Sequence, residues 1–117
     1  MKIKEVVSKT GISRDTIRLY ERMGLLVDIT QPYKNNSYKE YGEKNIDRID
    51  LIKYSQSLGF SLKECKHIID ALESGQLDKK EKNKLIANKL EEIDKRIDEL
   101  KSYRVLLAQA LKKTCEG

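Results

Sequence analysis

The sequence predicts a mostly α-helical protein in which a small helical domain precedes one long helix. Gly11 and Gly24 divide the start of the chain into two short segments of helical period. Residues 25–42 then change to a β-prone composition, and the apolar residues beyond position 79 repeat in heptads. Together these patterns predict a winged helix-turn-helix domain followed by a long C-terminal coiled-coil helix.

Composition fits this architecture and excludes several classes of protein. Of the 117 residues, 38% are hydrophobic and 37% are charged, which suits helices that each bury one stripe. No apolar run is long enough to cross a bilayer, and Lys4 and Glu5 interrupt the start where a signal peptide needs an apolar core. We therefore expect a cytoplasmic protein without a membrane partner. The net charge of +5 is compatible with nucleic-acid binding but does not require it.

The first two helices carry clear boundary signals. Residues 3–9 have helical period, and Gly11 can end that helix. Ser13 is a good N-cap for the next helix, and Asp15 lies in its first turn, where the helix dipole favours an acid. Gly24 ends this second helix. Two short helices joined by a tight turn predict a helix-turn-helix.

The second helix has one cationic face. Arg14, Arg18 and Arg22 follow one another at intervals of four, which places three guanidinium groups on one side of the helix. A short helix with such a face after a tight turn is suited to a DNA major groove. The alternative is a solvated surface helix.

Residues 25–42 predict a β-hairpin, which after a helix-turn-helix forms a wing. Leu26–Ile29 is β-prone, Pro32 belongs to a turn, and Tyr38 and Tyr41 lie on a second β-prone run. Two lysines lie near the tip and on the returning arm, Lys34 and Lys39.

Two further helices complete the predicted domain. Helical period returns over residues 43–57, and Ser61 with Glu64 forms a capping box that starts a helix ending at Ser74 and Gly75. A linker is expected at residues 75–79. The sequence thus predicts a DNA-binding domain over residues 1–75, a dimerisation helix over 76–112 and a short tail over 113–117.

The longest periodic segment is a heptad seam on the last helix. Its positions are separated alternately by four and three residues, with one charged interruption: Ile86, Leu90, Ile93, Ile97, Leu100, Arg104, Leu107 and Leu111. Such a seam implies a partner helix, so we expect a homodimer. The alternative is a helix that folds back on its own globular domain.

Several motifs in order resemble the MerR family of bacterial transcriptional regulators. They are residues 3–13, the run Thr16–Leu26, the wing segment Asn36–Tyr41, Leu58–Glu64 and the terminal coiled-coil helix. The resemblance covers essentially the whole chain. It implies an antiparallel coiled-coil dimer that binds inverted repeats in promoters and distorts the DNA so that RNA polymerase can use the promoter.

Site residues follow from the cationic helix, the wing and this resemblance. The family pattern maps onto Thr16–Glu21, where Arg18 and Tyr20 match and Leu19 replaces an aromatic residue; in the wing, Ser37 and Lys39 depart from the family pattern. The expected DNA-binding residues are Ser13, Arg14, Thr16, Arg18, Tyr20, Tyr38, Lys39 and Tyr41. For the three tyrosines, packing between wing and helix is an equally good explanation.

The sequence identifies neither a cofactor nor an effector. Cys65, Cys115 and His67 do not form a metal-ligand pattern, so no metal site is expected. Cys115 lies where metal-sensing members of the family place a ligand, and Cys65 lies in the half where some members carry a reactive cysteine, so each is a possible thiol sensor by resemblance. The alternatives are an incidental tail cysteine and a small buried hydrophobe. The given sequence ends six residues after Leu111, which leaves no room in it for a folded effector domain.

Two other classes of protein are alternatives to this interpretation of the sequence. An excisionase-like DNA-architectural or recombination accessory protein has a similar winged helix, but such factors are usually compact and lack the long heptad helix. An enzyme is not expected, because the sequence has neither a glycine-rich phosphate loop nor a Cys/His constellation.

Overall fold

The computed structural model describes residues 1–33 and 38–116, the last two of these through their backbone alone. The chain divides into two compact units, Met1–Leu77 and Asp78–Gly117. The first unit contains α1 (Ile3–Thr10), α2 (Arg14–Arg22), β1 (Ile29–Thr30), β2 (Glu40–Tyr41), α3 (Lys44–Ser57) and α4 (Leu62–Glu73), and the second is α5 (Lys79–Glu116). The predicted mostly helical fold with a long C-terminal helix is confirmed.

The turn between α1 and α2 is built as the local sequence predicts. Gly11 adopts φ 75°, and its N–H donates to the carbonyl of Val7 at 2.8 Å, which ends α1. The Ser13 hydroxyl accepts from the N–H of Thr16 at 3.1 Å and caps α2. From α3, the Lys53 ammonium donates to the last carbonyl of α1 at 2.7 Å, where a cation is favoured by the helix dipole.

One apolar core joins the helices of the first unit to the wing. The predicted capping box at Ser61 and Glu64 is present and starts α4. The buried apolar side chains come from α1, α2, the segment after α2, the wing, α3 and α4, and they are Val6, Ile17, Tyr20, Leu25, Leu26, Tyr41, Ile49, Ile52, Cys65 and Ile69. Burial of this set provides the main favourable free energy that holds α2 in place.

The wing is an antiparallel hairpin whose strands are shorter than the sequence predicts. Ile29 pairs with Tyr41 and Thr30 pairs with Glu40, so each strand has two residues. The predicted strand over Leu26–Ile29 is therefore wrong except at its end. The expected tip, with Lys34 and Ser37, lies outside the described residues.

Backbone geometry at Asp28 explains why the first strand starts late. Asp28 has φ 51°, a left-handed conformation that a continuous strand does not accept. Its carbonyl accepts from the N–H of Gly42 at 2.9 Å, and a Cβ at position 42 would collide with the Asp28 carboxylate. The two residues close the base of the wing.

A buried arginine connects the end of α2 to α4. Arg48 is only 4% exposed, and its Nε donates to the carbonyl of Leu25 at 2.7 Å. Its guanidinium nitrogens lie 2.5 Å from Glu73 and 3.6 Å from Asp70. A hydrogen bond from Lys66, followed by the charges of Lys66 and Arg48, lowers the pKa of Asp70, so this carboxylate stays ionised at neutral pH.

The second unit is a single helix of 38 residues. Asp78 caps it, because its carboxylate accepts from the N–H of Glu81 at 2.8 Å. The apolar seam residues predicted for this helix are between 39% and 71% exposed, from Ile93 to Leu107. Three apolar side chains outside the predicted seam are also exposed, namely Tyr103, Val105 and Leu106. Within the described residues, no helix combines the length and apolarity that a membrane span needs.

Candidate DNA-binding surface

Helix α2 buries one face and exposes its arginines on another. Ile17 and Tyr20 are buried, whereas Arg14, Arg18 and Arg22 are exposed. This division follows from the helical period, because Ile17 and Tyr20, three residues apart, share one face and the arginines, four residues apart, share another. The exposed arginines remain available to an anionic ligand.

The first turn of α2 is rigid. The hydroxyls of Ser13 and Thr16 lie 2.9 Å apart and hydrogen-bond each other, in addition to the cap. Arg18 lies 3.7 Å from Asp15, an exposed pair of little energetic weight. Arg14 and Arg18 share the exposed cationic face, and the hydroxyls of Ser13 and Thr16 are joined at the start of the helix.

The beginning of α1, helix α2 and the wing enclose a cleft of about 710 Å³. Cationic side chains dominate the part of its lining that the structure describes. The lining side chains are Lys2, Ile3, Lys4, Arg14, Arg18, Glu21, Arg22, Tyr38, Lys39 and Tyr41. Six cations around one concave surface create a positive potential that attracts a polyanion.

Glu21 joins the wing to α2 inside this cleft. The ammonium of Lys39 donates to both carboxylate oxygens of Glu21, at 2.8 and 3.2 Å. This hydrogen bond raises the pKa of Lys39 above its usual value. Glu21 also interacts with the hydroxyl of Tyr41, whose pKa is raised first by burial and then by the Glu21 charge. Lys39 therefore lies where it was expected, but it is held by an acid.

Lys2 lies over the ring of Tyr38, with the ammonium 5.4 Å from the ring centroid. This is within the range of a cation–π interaction. Tyr38 is 64% exposed, so it presents its ring at the cleft rather than in the core.

Two predicted DNA-binding tyrosines are core residues. Tyr20 and Tyr41 are each 3% exposed. The Tyr20 hydroxyl donates to Gln56 at 3.2 Å, and burial, followed by the influence of Cys65, raises the pKa of Tyr20. For both residues the structure favours the packing explanation over direct contact with phosphate.

Cys65 is also a core residue. It is fully buried, and its sulfur lies 4.0 Å from the carbonyl of Ile52. Burial shields this thiol from solvent, so the structure favours the small-hydrophobe alternative over a thiol sensor. The side chain of Cys115 lies outside the described part of the chain. The described residues bring together no group of three or more His, Cys, Asp and Glu side chains that would suit a metal ion.

Five residues that line the cleft are absent from the DNA-binding residues predicted from the sequence, namely Lys2, Ile3, Lys4, Glu21 and Arg22. Lys2 and Lys4 were not assigned to the site because they precede the helix-turn-helix, although their positive charge beside a predicted DNA-binding helix was a usable signal. Glu21 was missed because an acid in a cationic surface suggests no DNA contact.

The fold and this cleft define a DNA-binding protein of the winged helix-turn-helix class. The family model of the MerR HTH regulatory proteins matches residues 1–72, and the MerR DNA-binding model matches residues 46–110. The chain therefore belongs to the MerR family and is a DNA-binding transcriptional regulator. The family assignment favours this function over the excisionase-like alternative.

Individual relatives span nearly the whole chain. It is 32% identical over 118 residues to the HTH-type transcriptional regulator CueR of Salmonella typhimurium, covering 100% of this chain and 83% of that protein. It is 31% identical over 114 residues to the mercuric resistance operon regulatory protein of Bacillus cereus, covering 97% of this chain and 84% of that protein. These relatives are regulators rather than enzymes.

Two solved structures share the fold. The transcription regulator PbrR691 from Ralstonia metallidurans CH34, in complex with lead(II), superposes with a TM-score of 0.80 at 22% identity, covering 93% of this chain and 83% of that one. HiNmlR, a MerR family regulator lacking the sensor domain and bound to promoter DNA, gives a TM-score of 0.60 at 26% identity, covering 95% of this chain and 88% of that one.

Proposed function

We propose that two copies of the chain pair through α5 as an antiparallel coiled coil and bind an inverted repeat in promoter DNA. The bound dimer distorts the DNA between its half-sites and thereby controls how RNA polymerase uses the promoter. The observation that carries this proposal is the cationic cleft formed by α2, the start of α1 and the wing.

The side chains around the cleft are suited to different contacts with DNA. Arg14 lies in the first turn of α2, the part of a recognition helix that reaches base edges in the major groove. Arg18 lies one turn further, where a guanidinium contacts the sugar-phosphate backbone. Ser13 and Thr16 lie at the start of the same helix, where their hydroxyls are suited to hydrogen bonds with the DNA backbone.

The wing and the start of α1 extend the phosphate-binding surface. Lys39 belongs to the wing, and Lys2 and Lys4 line the same cleft. Lysine contacts phosphate as a point charge rather than as a bidentate fork, so these residues add affinity without reading base edges directly. Tyr38, which is exposed beside Lys2, can donate its hydroxyl to a phosphate.

The dimer is supported by the seam of α5. Ile86, Leu90, Ile97 and Leu100 are between 44% and 57% exposed in the single chain, and a partner helix would remove them from water. The rest of the seam has the same character, with Ile93, Arg104, Leu107 and Leu111 at the remaining positions. A helix of 38 residues is about 57 Å long, enough to hold two DNA-binding units apart on one face of a duplex.

Distortion of the DNA is the proposed route to regulation. A protein that bends or untwists a duplex obtains specificity from the deformability of base pairs that it does not touch. HiNmlR, to which the chain is 26% identical, was crystallised on promoter DNA without a sensor domain. This supports a regulator in which the DNA-binding domain and the dimer helix suffice for promoter binding.

The test is hydroxyl-radical footprinting followed by transcription in vitro. Duplexes selected from a random pool by the wild-type protein are footprinted and then placed between the two elements of a test promoter. We expect two protected half-sites related by a dyad, enhanced cleavage between them, and a change in transcript level that depends on the site. Arg14→Ala should abolish the footprint. A single half-site, or selection of no sequence at all, contradicts the proposal.

A further inference from the structure

Glu21 is an acid at the centre of a surface that binds a polyanion. Among the described lining residues of the cleft, six side chains are cationic and Glu21 alone is acidic. Its side chain is 19% exposed, so most of it is held within the protein. A negative charge at this position repels phosphate groups and lowers the affinity for any duplex.

Both oxygens of Glu21 are engaged by the wing. The Lys39 ammonium lies 2.8 Å from one and 3.2 Å from the other, across 18 residues of sequence. Tyr41 is buried and pairs with Ile29 in the wing, and its pKa is raised by burial and then by the Glu21 charge. Glu21 thus ties α2 to the wing through Lys39.

The contact fixes the distance between the two DNA-contacting elements. With strands of two residues, the wing has few ladder hydrogen bonds of its own to set its position. An ion pair with two charge-assisted hydrogen bonds is geometrically restrictive, because both donor directions must be satisfied together. Lys39 is therefore held at one place relative to Arg14 and Arg18.

We infer that Glu21 is a specificity-determining positioning residue, which lowers non-specific affinity through its charge and raises specificity by holding Lys39 and the wing in register with α2. The inference rests on the proposed DNA-binding function of the cleft. Phosphate contacts that are fixed relative to the recognition helix select the register in which α2 meets the bases. Mobile phosphate contacts would add affinity to every register.

The experiment compares Glu21→Gln with Asp15→Asn on two duplexes. Both substitutions remove one negative charge from α2 and preserve the side-chain shape. Asp15 is 97% exposed and forms an ion pair with Arg18 on the same helix, so it is a matched control that leaves the pair between Glu21 and Lys39 intact. The duplexes are the one selected by the wild-type protein and a shuffled duplex of equal length and composition. Dissociation constants are measured by fluorescence anisotropy at several salt concentrations.

We expect Glu21→Gln to bind the shuffled duplex more tightly and the selected duplex no more tightly than the wild type. Its ratio of specific to non-specific affinity should fall by about tenfold, the size of effect that one lost specific contact produces. In this variant Lys39 is no longer paired with Glu21 and can contact a phosphate. The slope of log K against log salt concentration on the shuffled duplex should therefore become steeper by about one. Asp15→Asn should tighten binding to both duplexes equally. An unchanged ratio in Glu21→Gln would overturn the inference.

A double-mutant cycle with Lys39→Met gives a second route to the same answer. If Glu21 acts through Lys39, Glu21→Gln should change the specificity ratio little once Lys39 is absent. Additive effects on that ratio would contradict a positioning role. Should Glu21→Gln fail to fold by circular dichroism, Lys39→Met alone must still lower the ratio, since it removes the positioned contact. A wild-type protein that selects no duplex would instead refute the proposed function.

Discussion

The side-chain amide of Asn45 pairs with both peptide groups of Val27. The N–H of Val27 donates to Asn45 Oδ1 at 2.9 Å, and Asn45 Nδ2 donates to the Val27 carbonyl at 2.7 Å. Asn45 is fully buried at the start of α3. Its side-chain amide therefore satisfies backbone hydrogen bonds between α2 and the wing, as a neighbouring strand would. This fixes where the wing begins.

Replacing Asn45 should destabilise the first unit. Asn45→Leu leaves the N–H and the carbonyl of Val27 without partners, and we expect a loss of about 2–4 kcal/mol in the free energy of unfolding. Urea unfolding at one fixed protein concentration measures it, because pairing of chains would make stability concentration-dependent. Asn88→Leu, an exposed change on the outer face of α5, should stay within about 0.5 kcal/mol. Equal effects of the two substitutions would show that the Val27 pairing is unimportant.

Features encoded within a few residues were predictable from the sequence. Gly11, Ser13 and the Ser61 capping box act on backbone groups three or four positions away, so their residue types identify helix ends directly. The apolar period of the helices was predictable for the same reason, since the residues of each buried stripe come from one continuous stretch of sequence.

Residues whose partners are distant in sequence were not predictable. Asn45 and Arg48 are polar and sit in a helix, so their residue types favour the surface, yet their partners Val27 and Leu25 make burial possible. Glu21 is likewise tied to Lys39 across 18 residues. The left-handed conformation of Asp28 also depends on residues distant in sequence, and it makes the strand shorter than predicted.

Alkaline pH should unfold the first unit by ionising its buried tyrosines. Burial raises the pKa of Tyr20 and Tyr41 above the usual 10.0. Because the neutral phenol is favoured in the folded state, this contribution to stability is complete below pH 10 and is lost as the pH rises through the folded-state pKa. The free energy of unfolding should then fall by about 1.4 kcal/mol per pH unit for each tyrosine.

A phenylalanine substitution isolates the contribution of Tyr20 to this pH dependence. Tyr20→Phe should lose about 1 kcal/mol at neutral pH, since the hydrogen bond to Gln56 is removed, but its stability should fall less steeply above pH 10. Urea midpoints measured from neutral to alkaline pH test this. Tyr54→Phe, at a side chain that is 63% exposed, should keep the wild-type slope. A wild-type slope in Tyr20→Phe would contradict the assignment.

Arg18 should contribute affinity without sequence preference. Arg18→Ala should weaken binding to the selected and shuffled duplexes by similar factors and should reduce the salt slope by about one, as expected for one lost phosphate contact. Lys95→Ala removes the same charge from the outer face of α5, at a residue that is not among those lining the cleft, and should leave the slope unchanged. Unchanged affinity for the selected duplex in Arg18→Ala would remove this residue from the site.

The seam of α5 should control both assembly and DNA binding. Ile97→Asp places a charge at the middle of the seam, where a partner helix would have to bury it, so we expect monomers by sedimentation at micromolar concentration. Ser102→Asp introduces the same charge on the outer face of α5 and should leave a dimer. Since a monomer presents one cleft instead of two, Ile97→Asp should lose most of its affinity for the full inverted repeat but retain its weak affinity for a half-site. Dimeric Ile97→Asp would show that α5 pairs through another surface, and the exposed Tyr103, Val105 and Leu106 would be tested first. Monomeric wild-type protein would contradict the proposed dimer.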